Sequence, residues 1–195
     1  MNKVVPLKTV RTPPHLLQLK IELAGIKPLI WRRVVLPETI TLPKLHQVIQ
    51  IVMGWQDCHL HEFEIAGERY GIPDPDYDFG EPVRNEQRVR LAAALGTARS
   101  FRYIYDFGDD WEHRIKVERR LPPDPVFDIA LCIDGANAAP PDDVGGTYGY
   151  AAFIEAITQP DHPEHQQMLE WFGAPFDPTA FDLSATDLPL TRIKL

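Results

Sequence analysis

The sequence predicts an α+β fold. Three observations predict it: runs of apolar and polar residues in strict alternation, one stretch with apolar residues at helical spacing, and prolines and glycines that cut the chain into short elements. Leu17, Leu19, Ile21 and Leu23 alternate with Gln18, Lys20 and Glu22, the pattern of a half-buried strand. Gly25 to Pro28 make a turn. Ile30 to Leu36 then read as a second strand, antiparallel to the first, with Arg32 and Arg33 on it. Thr41 fits a helix N-cap, Pro43 its first turn and Gly54 its end. Leu42, Leu45, Val48, Ile49 and Val52 recur at helical spacing, so this helix lays one face on the sheet.

His59 to Ala66 alternate again, with His59, His61, Phe63 and Ile65 on one face and Leu60, Glu62 and Glu64 on the other. Asp74 to Glu86 read as an acidic surface loop, and Val89 to Leu95 as a strand end running into a helical turn. The clearest hairpin signal spans Ser100 to Arg119. Phe101, Tyr103, Tyr105 and Phe107 share one parity, as do Trp111, His113, Ile115 and Val117. The turn must bring both apolar sets to one side. A three-residue loop, Gly108–Asp109–Asp110, does so and pairs Phe107 with Trp111 and Tyr105 with His113. Further on, a short strand is expected around Ala130–Ile133, a helix after the glycine-rich Asp142–Tyr150 stretch and another over 163–172. A third helix is expected to start at Asp177-Pro178, with Asp as cap and Pro in the first position.

Composition narrows the class of protein. A hydrophobic share of 44% and a charged share of 25% are those of a globular domain with a real core. Two cysteines, Cys58 and Cys132, make no disulfide framework and point to a reducing compartment. No run approaches the roughly 20 apolar residues of a membrane span, so a cytoplasmic location without membrane contact is expected. The net charge of −8 argues against bulk binding of polyanions. It is unevenly placed: residues 1–50 hold eight Lys and Arg against two acids, whereas residues 121–195 hold two against twelve.

Four constellations carry chemistry. His59 and His61, alternate residues on one strand, with His113 on another, have the residue types of a metal-ligand set; buried imidazoles more often serve as hydrogen-bonded core residues. Asp106-Phe107-Gly108-Asp109-Asp110 is turn chemistry first and a carboxylate cluster for a divalent ion second. Asp142, Asp143, Gly145 and Gly146 precede a helix, where glycine backbone often cradles anions, but the two acids oppose a phosphate and favour a tight packed loop. Lys27, Arg32 and Arg33 with Trp31 are a weak nucleic-acid patch, aromatic among cations. The first three segments together suggest one pocket, formed by His59, His61, Tyr105, Asp109, Asp110, Trp111, His113, Asp142, Asp143, Gly145 and Gly146.

These landmarks occur in a recognisable order. Lys27-Pro28 with Ile30-Trp31-Arg32-Arg33-Val34 comes first, then Gly54-Trp55 with His59-Leu60-His61 and Phe63. Tyr103-Ile104-Tyr105-Asp106-Phe107-Gly108-Asp109-Asp110-Trp111-Glu112-His113 follows, then Pro140-Pro141-Asp142-Asp143-Val144-Gly145-Gly146 with Gly149-Tyr150, and last Trp171 with Phe176-Asp177-Pro178. In this the chain resembles the plasmid pRiA4b Orf-three-like family, also met as TnpR-type passenger proteins of insertion elements. The resemblance implies a mixed, largely antiparallel sheet with helices packed on it, and one domain over 15–195 after an N-terminal extension, 1–14. It implies no mechanism, cofactor or partner. Relatives carry cysteines around the Pro-Pro-acid-acid-Gly-Gly loop; here Ala139 and Val144 stand in those places, so no thiolate metal site is expected there. Asp187 stands where the family usually has Asn. The leading expectation is a non-catalytic accessory or binding module of mobile-element ancestry. The alternatives are a metal-dependent hydrolase using the His/Asp cluster and a nucleic-acid-binding accessory protein.

Overall fold

In the computed structural model, which describes residues 13–73 and 82–195, one eight-stranded sheet organises the chain. In chain order its elements are β1 (Leu16–Leu23), β2 (Trp31–Pro37), α1 (Leu42–Met53), β3 (His61–Ile65), β4 (Glu68–Gly71), β5 (Arg84–Asn85) and α2 (Leu91–Leu95). There follow β6 (Ser100–Tyr105), β7 (Trp111–Leu121), β8 (Leu131–Ala136), α3 (Gly146–Thr158), α4 (His165–Phe172) and α5 (Leu183–Leu190). The strand order is β5-β4-β3-β6-β7-β1-β2-β8, and every pair is antiparallel except β4 with β5. The sheet is therefore mixed and mostly antiparallel, and the fold is α+β. Most of the expected 74–86 loop lies outside the described residues, as does most of the 1–14 extension.

Alternation along β1 works as period-2 side-chain geometry requires: Leu17, Leu19, Ile21 and Leu23 are buried. α1 is flanked by Thr41 as its N-cap and by Gly54, whose φ of 79° gives the left-handed C-terminal residue that glycine adopts without strain. Its apolar stripe, Leu42, Leu45, Val48, Ile49 and Val52, is buried in the core. His46 and Gln50 on the same helix are buried too.

Three local expectations need correction. Tyr105 pairs with Trp111 and Tyr103 with His113, so the β6–β7 loop has five residues, Asp106 to Asp110, and Phe107 is 56% exposed. Asp106 and Asp110 both adopt positive φ (55° and 53°), Asp110 N–H donates to Asp106 O, and Asp106 Oδ1 accepts from Gly108 N–H. Asp tolerates that conformation better than most residues. It lets the turn close earlier while keeping the same parity, so Trp111 is still buried. His59 lies before β3 rather than on it, in a bend that follows the positive-φ Asp57. No helix begins at Asp177; its Oδ1 accepts from Thr179 N–H in a local turn, and α5 starts later, capped by the Asp182 side chain on Ser184 and Ala185 N–H.

Candidate functional site

The three chemistry-bearing segments meet at one end of β3, β6 and β7. Asp106 N–H donates to Leu60 O at 2.9 Å, and Gly145 N–H donates to Asp109 Oδ2 at 3.0 Å. Trp55, just beyond α1, joins them: its Nε1 donates to Pro140 O at 2.8 Å, and its ring stacks on Tyr105 at 5.0 Å. The neighbouring Gln56 N–H donates to Asp142 Oδ2 at 3.0 Å.

At this junction His59 Nε2 stands 2.9 Å from Asp143 Oδ1 and 3.6 Å from Asp106 Oδ2. Nε2 is buried and has no hydrogen-bond partner: Asp106 Oδ2 stands too far away, and Asp143 Oδ1 is close without making one. Ligating atoms of His59, Asp106 and Asp143 all lie within 4.8 Å of one another. Asp142 adds a fourth group, with a buried Oδ1 that has no hydrogen-bond partner. Burial, reinforced by Asp143 and Asp106, pushes the Asp142 carboxyl up against the opposing pull of Gln56 N–H and His59. Among the described residues no Lys or Arg ion-pairs with Asp106, Asp142 or Asp143.

The other two histidines of the expected metal set are engaged elsewhere. His61 Nε2 lies 3.1 Å from both oxygens of Glu86, and both side chains are buried. His113 is fully buried, its Nδ1 2.9 Å from Trp111 O, and burial pushes its pKa down to about 4. Tyr105 is buried, and its hydroxyl accepts from Cys58 N–H. Asp109, Asp110, Gly145 and Gly146 line an open depression of about 470 Å³ with Tyr148, in which His59 takes no part.

Behind the junction lies a buried polar network that sequence reasoning missed. His46 Nδ1 is 2.7 Å from the Tyr103 hydroxyl, which also accepts from Gln50 Nε2. His46 Nε2 is 2.6 Å from Asp57 Oδ1, and Gln50 Oε1 accepts from Asp57 N–H. The Asp57 carboxylate can only accept, which places the His46 proton on Nε2; in the neutral ring Nδ1 then accepts from the Tyr103 hydroxyl. Burial, then the neighbouring His61, push the His46 pKa down; burial pushes Tyr103 well up. The sequence signal was slight: two polar residues, His46 and Gln50, four apart beside an apolar stripe.

The residues of the basic strand sit in different surroundings. Arg32 is buried, donates to Val52 O, Trp31 O and Ala136 O, and lies over the Phe181 ring at 4.3 Å; burial lowers its pKa to about 10. Arg33 is held by Glu118 and Asp134 and covers Trp31 together with Lys20. Of the four residues, Lys27 is exposed. A guanidinium spent on carbonyls inside the fold is not free for phosphate.

The fold and junction define a class: an α+β domain whose loops gather histidine and aspartate at one end of a mixed sheet. Sequence comparison names it, since the chain belongs to the family described as Plasmid pRiA4b ORF-3-like protein, whose sequence profile matches residues 15–185. It is 42% identical over 159 residues to "Uncharacterized protein y4hQ" of Sinorhizobium fredii, a match covering 80% of each chain. It is similar to the crystal structure of the protein of unknown function MM3350 from Methanosarcina mazei Go1, with a TM-score of 0.80 and 35% identity over 90% of this chain and 98% of that one. No helix among the described residues is long and apolar enough to cross a membrane.

Proposed function

We propose that this protein is a binding module, accessory rather than catalytic, and that His59, Asp106, Asp142 and Asp143 take up a divalent transition-metal cation. The observation that carries this reading is the approach of two carboxylates to a buried His59 Nε2 that has no hydrogen bond, at 2.9 and 3.6 Å. Three carboxylates around one imidazole repel one another, and a cation would relieve that repulsion. One nitrogen with several carboxylate oxygens suits Mn²⁺ or Zn²⁺ better than Ca²⁺, which takes oxygen ligands alone. The plasmid in the family's name supports an accessory role on a mobile element.

Calorimetric titration with Mn²⁺ and with Zn²⁺ tests the reading. The expected result is one ion per chain, with affinity at least tenfold lower (on the order of 1.4 kcal/mol) in Asp143→Asn and in Asp106→Asn. No saturable heat and no thermal shift with either metal would overturn it.

A further inference from the structure

A groove between α3 and α4 has no part in the reading above except that Asp143 stands on its rim. Val144, Ala152, Phe153, Met168 and Trp171 form its apolar walls, and Glu164 stands with Asp143 at its edge. Its volume is about 280 Å³, at or below the small end of cofactor-sized pockets, which suits one or two inserted side chains rather than a whole cofactor.

The helix that forms one wall is unusual for this protein. No residue of α4 is buried, although Met168 and Phe172 pack partly against the core. Trp171 lies edge-on to Phe153 with ring centres 5.8 Å apart, yet remains 47% exposed. An anchored indole with one open side is a common hot-spot residue of protein interfaces.

The charged residues that line the groove, Asp143 and Glu164, are both acidic. Residues 121–191 contain twelve acids and not one Lys or Arg; Glu155, Asp161, Glu164 and Glu170 fall on or between α3 and α4. Such a field repels nucleic acid and anionic lipid surfaces and attracts cationic protein segments.

We infer that the α3–α4 groove docks a basic segment of a partner protein, one or two apolar side chains seated on Ala152 and Met168 beside Trp171 and flanking Lys or Arg meeting the acidic rim. Apolar burial supplies the affinity, and charge supplies the choice of partner and a dependence on salt.

The test uses fluorescein-labelled hexapeptides and fluorescence anisotropy on the full chain. The probe is Lys-Lys-Phe-Leu-Lys-Lys; the controls are hexalysine and Glu-Glu-Phe-Leu-Glu-Glu. The expected result is saturable binding of the probe, at least tenfold weaker binding of both controls, and weakening of the probe with added salt. The double variant Met168→Ala with Trp171→Ala should lose at least tenfold, and Glu164→Gln should reduce the salt dependence. Circular dichroism and thermal melting verify that each variant is folded; none of the three side chains is buried. Asp143 is left intact and the titrations are run in chelator, so failure of the cation reading and failure of this one are distinguishable. Equal binding of hexalysine, unchanged binding by the double variant, or no saturation by about 1 mM peptide, where binding is worth only about 4 kcal/mol, would each overturn the inference. So would self-association of the chain abolished by Trp171→Ala, which would assign the groove to a second copy.

Discussion

The imidazole rings of His46 and His61 lie face to face, 3.6 Å between centres and 7° from parallel. Each ring points a nitrogen at a different carboxylate, His46 at Asp57 and His61 at Glu86. Two imidazolium rings at that distance would repel strongly in a buried setting, so the stack tolerates one charge at most. Burial, then the neighbouring His61, push the His46 pKa down, which favours the neutral form of His46.

The first prediction concerns Glu86. With His61 and Glu86 both buried, removing one partner leaves the other uncompensated. Glu86→Ala is expected to cost roughly 3–5 kcal/mol, and the double change His61→Phe with Glu86→Leu distinctly less, because an apolar pair of similar volume needs no partner. Urea denaturation of Glu86→Ala, of the double variant and of its two constituent single changes, His61→Phe and Glu86→Leu, measures this. A double variant as unstable as the sum of the two single changes would show that the pair is not coupled.

The second concerns pH. His113 has a folded pKa of about 4 against an ordinary 6.5, because burial disfavours its charged form. Above pH 6.5 both folded and unfolded chains hold it neutral. Between pH 6.5 and about 4 only the unfolded chain takes up the proton, so stability falls as pH falls, by about 3 kcal/mol for this group in all. His46, also shifted down, acts in the same direction. Denaturation midpoints from neutral pH to mild acid should fall less steeply in His113→Asn than in the parent chain. Identical slopes would remove His113 as the cause.

The third concerns the contact between the hairpin tip and the glycine loop. Gly146 has φ of 67°, and a Cβ there would stand 2.6 Å from the backbone oxygen of Asp109. Gly146→Ala combines left-handed strain with that collision and is expected to cost about 1–3 kcal/mol. Thermal melting gives the loss of stability. Amide exchange at Gly145, whose N–H is held by Asp109, should quicken as the tip is pushed away.

Much of the fold was legible because its causes are local. The alternation over β1, the apolar stripe and Gly54 end of α1, and the two aromatic parities of the hairpin each follow from short-range geometry. β4 and β5 were not legible: four and two residues long, they carry too little pattern to set them apart from loop. Of the junction, the segments were readable as places where polar residues gather. The buried partners were not, because Glu86 reaches His61 from 25 residues away and Tyr103 reaches His46 from 57.

By itself the sequence determined which side chains of the hairpin face the core, since Tyr103, Tyr105, Trp111 and His113 share one parity, and all four are buried. It could not decide their pairing, because loops of three and of five residues preserve the same parity. Tertiary structure decided that, by drawing Asp106 into a left-handed conformation with its N–H on Leu60 O. The same step turned Asp106 toward His59 and left Phe107 in solvent. Likewise the sequence placed Arg32 on a strand, but the carbonyls of Val52 and Ala136 and the ring of Phe181, brought together only by folding, made it a core residue. Burial periodicity is a property of neighbouring residues, whereas hydrogen-bond satisfaction depends on groups that only the folded chain brings within reach.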